Sequence, residues 1–299
     1  MLFNMTQATS RLSEQLAAAA DQASQSLVHV AATCRRGATA SLYDDDGVIL
    51  TTARAVAGRD HLEILQADQS VEAKVIGYDA ATDIGLLRSE SPIGRAPSWS
   101  DTPVRLGSLL LAGSRPGRAV RVHLGMVSQL GDSWHTGRGG RIERYVETDL
   151  EPEPGFSGGL AFDVEGRALG MNSAGLLRGL PLLVEKPTLD RIVAALLANG
   201  RVRRGYLGVG TQAVGLPDAL AQSSGQRTGL LVSSVQPQSA ADKAHLLIGD
   251  LLLTLGSTPL KDAQALQAAL EDAEGQRLTL ALVRAGQQLL VDVTPGARP

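Results

Sequence analysis

Apolar residues recur at helical spacing between residues 10 and 26, at Leu12, Leu16, Ala19, Ala20, Ala23 and Leu27, with Ser10 or Ser13 placed to cap the start. From Leu27 the period shortens to that of strands: 27–34, 38–43, 47–51, 61–67, 71–77 and 84–88, with Asp-Gly and Gly-Arg-Asp turns between them. A second strand-rich set follows at 108–113, 119–130, 143–149, 160–164, 167–174 and 180–184. Helical spacing returns from Leu189 to Leu197, started by Pro187-Thr188 and stopped by Asn199-Gly200. After the polar hinge Arg201-Val202-Arg203-Arg204, residues 205–295 read as strand, strand, short helix, strand, helix and strands. The expected organisation is a helical segment at 1–26, a strand-rich domain at 27–200 closed by a helix at 188–198, a linker at 201–204, a second domain at 205–295 and a disordered tail at 296–299.

The 33 glycines and 13 prolines are scattered, which suits short strands joined by tight turns and makes the chain mainly β. A net charge of −3 gives no electrostatic case for nucleic acid or an anionic membrane as partner. Cys34 is the only cysteine, so the sequence allows no intrachain disulfide and no cysteine-rich metal site. No H-x-x-x-H or similar ligand cluster occurs, so neither metal nor cofactor is expected.

The chemistry concentrates around Ser157, in Pro154-Gly155-Phe156-Ser157-Gly158-Gly159. A serine hydroxyl is a poor nucleophile unless a base takes its proton and a third group holds that base. Gly47-Val48-Ile49-Leu50-Thr51-Thr52-Ala53-Arg54-Ala55-Val56 resembles the catalytic-histidine segment of the HtrA family of PDZ-containing serine proteases, roughly G-x-x-L-T-N-x-H-V-V. Arg54 stands where that family has histidine, and a guanidinium offers donors only. Tyr78 to Leu87 resembles the strand carrying the triad aspartate, which makes Asp83 the third member. Leu111 to Gly117, Leu124 to Ser128, Thr148-Asp149 and Gly166 to Ala174 resemble further segments in the family's order. The resemblance implies a chymotrypsin-like double β-barrel with an oxyanion hole from the N–H groups of Gly155 and Ser157. It also implies a vestigial Ser157 and Asp83, because Arg54 cannot act as a base.

Other positions depart from the family pattern. Ala38-Thr39-Ala40 replaces G-S-G, and Phe156, a bulky residue beside the oxyanion loop, replaces asparagine. Leu183-Val184-Glu185-Lys186-Pro187 replaces the G-[FI]-A-[IV]-P strand that pairs with substrate, while Glu151 and Glu153 make the entrance acidic. Three placements of Arg54 stay open: pairing with Asp83, pairing with Glu151 or Glu153, or solvent. A relocated base from His29, His61, His123, His135 or His245 is the rival reading, with His135 in its glycine-rich loop the best placed. Gly137-Arg138-Gly139-Gly140-Arg141 reads as a flexible loop.

In the second domain, Arg204-Gly205-Tyr206-Leu207-Gly208-Val209 resembles the carboxylate-binding loop of an HtrA-type PDZ domain. Gly229 to Val235, with Leu231, resembles the strand bordering its peptide groove, and 262–273 its groove helix, with Leu266 or Leu270 facing the ligand. His245 replaces a glycine in the signature running from Ser239 to Leu253. The resemblance implies that Tyr206, Leu207, Gly208 and Val209 bind peptides or protein C-termini with an apolar last residue. The expectation is an inactive HtrA-like adaptor, scaffold or chaperone-like partner. An active endopeptidase with Ser157 and a non-standard base is the alternative, as is a structural subunit beside an active paralogue. The family often trimerises through N-terminal aromatics, and Phe3 alone is available here. Met1 to Gln7 lacks the basic-then-apolar pattern of a secretory signal, so the expected location is cytoplasmic, or periplasmic if a leader precedes this sequence.

Overall fold

The structure is a computed structural model that describes residues 2–31, 37–177 and 179–297, with side chains described from residue 9 onward. Cys34 and the side chain of Phe3 therefore lie outside the described residues. The chain divides into two compact units, Met1–Val202 and Arg203–Pro299.

The first unit holds two closed six-stranded barrels. The first barrel runs, in order of pairing, through Leu27–Val30, Ala38–Leu42, Val48–Thr51, Ile84–Ser89, Gln69–Asp79 and His61–Gln66. The second runs through Tyr145–Thr148, Leu182–Glu185, Ala168–Ser173, Leu160–Phe162, Leu109–Ser114 and Arg121–Gly131. Strand residues alternate between two faces, and here each face meets a different core. Ile49 and Leu87 point into the first barrel, whereas Val48, Leu50, Ile84 and Leu86 join a shared core outside it. Leu110, Ala112, Ala161 and Leu183 fill the second barrel, and their neighbours Leu111, Leu160, Phe162 and Val184 enter the shared core. Burial on both faces explains why these strands read as apolar runs rather than as polar–apolar alternation.

Two helices close the shared core. Lys186–Asn199 places Leu189, Ile192, Val193 and Leu196 on one face, has proline in its first turn, and stops at Gly200, which is left-handed at φ +69°. The N-terminal helix extends over Leu2–Ser24, further toward the N-terminus than its apolar spacing indicates. Among its described side chains only those at its end pack: Ala19 and Ala23 are buried, while residues 9–15 are exposed. Leu27 belongs to the first strand and not to this helix.

The Gly137–Arg141 stretch departs from the flexible loop expected of it. Trp134–His135 pairs with Arg141–Ile142 as a short hairpin. Its tip docks on the first barrel, where Thr136 Oγ1 donates to the Ala81 carbonyl at 2.7 Å. Gly140 lies so close that a side chain there would meet Ala81 at 2.6 Å.

The second unit is a single antiparallel sheet in the order Val209–Gly215, Thr228–Val235, Leu251–Leu255, Leu278–Arg284, Gln287–Val293. Helices Asp218–Ser224, Ala240–Lys243 and Ala263–Leu270 accompany it, the first of them unsignalled by the sequence pattern. Ser239 and Asp262 cap the latter two by accepting from Asp242 N–H and Ala265 N–H. Asp250, buried at 1% exposure, takes both arms of Arg284 at 2.7 Å. His245 occupies a left-handed turn at φ +56°, a conformation that costs most side chains about 1–2 kcal/mol. His245→Gly is therefore expected to stabilise this unit by roughly 0.5–1 kcal/mol after glycine's greater unfolded-state entropy is counted. A shift of the urea midpoint at unchanged slope is the measurement; no shift would show the turn to be unstrained.

Candidate functional site

Arg54 sits one residue into the short helix Ala53–Val56, which begins where the strand Val48–Thr51 ends. Its side chain is 67% exposed and reaches Asp83, with Nη2 3.9 Å from Oδ2. Of its open placements, pairing with Asp83 is the one observed, while Glu153 pairs with Arg121 at 3.0 Å and approaches His123 at 3.9 Å. At that length and exposure the Arg54–Asp83 pair contributes only about 0–1 kcal/mol.

Asp83 is held more firmly by the backbone around it. It adopts φ +55°, its carbonyl accepts from Ala53 N–H at 3.2 Å, and its Oδ2 is buried without a hydrogen-bond partner. Burial raises the Asp83 carboxyl above its ordinary value, against the opposing pull of Arg54, the backbone N–H groups of Ala53 and Arg54, and Arg138. A raised folded-state pKa destabilises the ionised native state, so the penalty is complete above that pKa and absent below the unfolded value. Asp83→Asn, which suits a left-handed position equally well, is expected to stabilise the unit at neutral pH on the order of 1 kcal/mol. The gain should vanish as pH falls below the unfolded carboxyl range. Thermal unfolding of both proteins across pH 3 to 8 would test this, and a destabilised variant at neutral pH would refute it.

Ser157 Oγ accepts a hydrogen bond from Ala174 N–H at 3.0 Å. The next residue, Gly175, lies against the other two positions: a side chain there would fall 2.4 Å from Asp83 Oδ2 and 3.1 Å from Arg54 Nη2. The segment 173–175 thus gathers Ser157, Asp83 and Arg54 at one place between the barrels. Among the described residues no histidine hydrogen-bonds Ser157. His29 lies within the first strand, His61 opens the strand His61–Gln66, His123 faces Glu153, His135 belongs to the docked hairpin, and His245 is in the other unit.

The loop around Ser157 is fastened to the first barrel. Thr39 Oγ1 donates to the Gly155 carbonyl at 2.6 Å, and Ser41 Oγ donates to the Gly158 carbonyl at 2.9 Å. Gly155 and Gly158 both have φ +90°, and a side chain at 158 would lie 2.3 Å from the Thr39 carbonyl. These ties, with the contacts of Ala174 and Gly175, are parts of the site that motif reading misses; the hydroxyls of Thr39 and Ser41 on a buried strand were the available signal.

One expectation needs refining. Phe156 belongs to the serine loop, but its side chain turns away from it: the residue is 5% exposed and packs inside the second barrel with Leu110, Val127 and Leu183. Leu182–Glu185 pairs along its whole length with Ala168–Ser173, whereas on its other side Leu182 alone pairs, with Glu147.

In the second unit, the loop from Arg204 to Val209 leads into the strand Val209–Gly215, which ends the sheet order and leaves one side unpaired by other strands. Tyr206 exchanges backbone hydrogen bonds with Gly296, and the carbonyls of Leu207 and Gly208 accept from Ala241 and Gln236. Gly208 has φ +84°, and a side chain there would meet Ser239 Cβ at 2.2 Å. The edge strand is not the one expected. Thr228–Val235 is flanked on both sides, and Leu231 pairs with Gln212 and Leu251. Leu266 and Leu270, four residues apart on the core side of their helix, are buried at 4% and 5% exposure in the core cluster of this unit. Leu207 is buried with them at 1%.

The Trypsin-like peptidase domain family matches residues 38–171, and the PDZ domain family matches residues 231–284. A probable periplasmic serine endoprotease DegP-like from Pseudomonas fulva is 33% identical over 274 residues, covering 86% of this chain and 55% of that protein. A probable periplasmic serine protease do/HhoA-like from Haemophilus influenzae is 30% identical, covering 81% of this chain and 54% of its own length. The chain spans about half the length of these curated relatives. Among solved structures, the serine endoprotease from Yersinia pestis superposes with TM-score 0.75 at 23% identity, covering 94% of this chain and 97% of that one. The HtrA-type protease AlgW with tripeptide superposes with TM-score 0.73 at 25% identity, covering 95% and 97%. The fold and the paired domains are those of a serine protease with a trypsin-like barrel pair. The chain is HtrA-like, joining that fold to a PDZ domain. The relatives are named as periplasmic proteins, which overturns the cytoplasmic location expected from the N-terminal residues.

Proposed function

We propose that this HtrA-like chain is a periplasmic pseudoprotease that binds peptides or protein C-termini through its PDZ domain and acts as an adaptor, scaffold or chaperone-like partner. The observation that carries this reading is the state of Ser157: its oxygen accepts from Ala174 N–H, while the base position holds Arg54, turned toward Asp83. A guanidinium has no lone pair to take the serine proton, and it stays protonated at any physiological pH. In this reading Ser157 and Asp83 are vestiges, and Gly155 and Ser157 keep the turn of an oxyanion hole that no longer serves a reaction. Peptide capture falls to the N–H groups of Leu207, Gly208 and Val209 beside the unpaired strand edge, with Tyr206 closing the loop.

The test is covalent labelling of the intact chain with a fluorophosphonate, alongside hydrolysis of unfolded casein by the wild type and Ser157→Ala. Equal, background-level signals from the two proteins are expected. Labelling confined to the wild type would establish the rival reading, an active serine endopeptidase with another base, which the names of the relatives favour.

A further inference from the structure

Among the described residues of the first unit, Arg115 is the one guanidinium that is both buried and without a carboxylate. The residue is 8% exposed. Its Nη1 donates to the Arg118 carbonyl and its Nη2 to the Ser24 carbonyl, both at 3.3 Å, and its Nε has no partner. Among the described residues, no Asp or Glu ion-pairs with it. Buried cations are costly unless an anion or a full set of acceptors meets them, and two long bonds to carbonyls are a meagre set for five N–H donors. Burial alone lowers the Arg115 guanidinium from its ordinary value, yet it remains charged.

A pocket of about 520 Å³ opens over this side chain. Its polar lining comes from Ser24, Gln25, Gln66, Asp68, Gln69 and Arg95 together with Arg115. Arg95 likewise shows no carboxylate partner among the described residues. Gly94 makes the close approach of these segments feasible, because a side chain there would lie 2.6 Å from the Gln25 carbonyl and the Gln66 amide. Arg95 N–H and Gln66 Nε2 both donate to the Gln25 carbonyl, at 2.9 and 2.7 Å, fixing the rim. Two arginines against Asp68, an exposed turn residue, leave the lining with a charge of +1. Asp21 lines the adjoining pocket that Arg95 also borders.

We propose that this pocket binds a small oxyanion, a carboxylate or a phosphate group, through Arg115 at its base and Arg95 at its rim. The planar fork of a guanidinium matches such groups in shape and charge. Capping of the N-terminal helix explains one of the Arg115 contacts, the one to Ser24, but it accounts neither for the idle Nε nor for the second arginine. Among the described residues, none of the Ser157 loop or of the PDZ domain lines this pocket, although Arg115 N–H donates to Thr39 Oγ1, which fastens that loop. Occupancy of the pocket does not require that the chain hydrolyse peptides.

The experiment titrates the full chain with inorganic phosphate and, separately, with acetate, chloride holding the ionic strength constant. Binding is read by calorimetry and by the unfolding temperature. Saturable binding of at least one oxyanion is expected, weakened tenfold or more in Arg95→Gln and abolished in Arg115→Gln. The stronger of the two responses assigns the group as phosphate or carboxylate. If Arg115→Gln does not fold, Arg95→Gln decides alone. No response beyond chloride, or a response that Arg95→Gln leaves intact, overturns the site.

Discussion

Turnover by this chain is expected to lie on the order of a million-fold below that of an intact serine–histidine–aspartate enzyme, and Arg54→His alone is expected not to recover it. A histidine at 54 would have to take its orientation from Asp83 and reach the serine proton at about 2.6–3.2 Å. The surroundings of both are tight. A side chain at Gly175 would fall 2.4 Å from Asp83 Oδ2, and Ala174 N–H fixes the position of Ser157 Oγ while leaving its O–H to donate. The imidazole must therefore fit a place shaped around a guanidinium, and a misplacement of about 1 Å can cost a hundredfold in rate. Phe156 takes no part in this argument, since it is packed inside the second barrel. The measurement is single-turnover hydrolysis of an unfolded substrate by Arg54→His, against Arg54→His with Ser157→Ala as the blank. Recovery to within tenfold of a working HtrA protease would show the cleft intact apart from one side chain.

The second large effect concerns the PDZ domain. Peptides with a free, apolar C-terminal residue are expected to bind the intact chain with Kd in the micromolar range, about −8 kcal/mol. Amidating the peptide should weaken this tenfold or more, because a neutral amide gives up charge-assisted bonds to the loop N–H groups. Gly208→Ala should do at least as much. Its backbone stands at φ +84°, and the added carbon would meet Ser239 Cβ at 2.2 Å, so the loop must shift. Fluorescence anisotropy with free and amidated versions of one peptide checks the first claim, and the variant checks the second. Equal affinity for the amide would mean that the groove is closed or used in another way. Burial of Leu207, Leu266 and Leu270 bears on this, because the pocket for a terminal side chain must open when the peptide arrives.

The two barrels were legible because each strand carries its own apolar run and its own turn. Asp44 shows the mechanism at one of them, its carboxylate accepting from Asp46 N–H and Val48 N–H at 3.0 Å to shape the Asp-Gly turn. Which face of a strand enters which core was not legible, since Leu110 and Leu111 look alike in sequence and belong to different clusters. The hairpin at Trp134 failed for another reason. Its glycines suggest freedom, while its order comes from a distant partner, the Ala81 carbonyl, that no local pattern announces. Arg54, Asp83 and Ser157 could be named from motifs, but the 173–175 segment that lies beside all three depends on backbone conformation. The edge strand was misread for a related cause: Thr228–Val235 has the stronger β pattern, and edge position is a property of the whole sheet.

The fastening of the serine loop to Thr39 and Ser41 bears on how enzymes are identified from sequence. Gly155 and Gly158 are required there by left-handed backbone and by the nearness of Pro116 and the Thr39 carbonyl, whether or not the hydroxyl between them ever attacks anything. The motif is therefore masonry first and machinery second. A chain can abandon the reaction and still be obliged to keep both glycines of Gly-x-Ser-Gly, since losing them would unfasten one barrel from the other. Surveys that count such motifs as hydrolases will be inflated by every fold whose keystone happens to be its former active site.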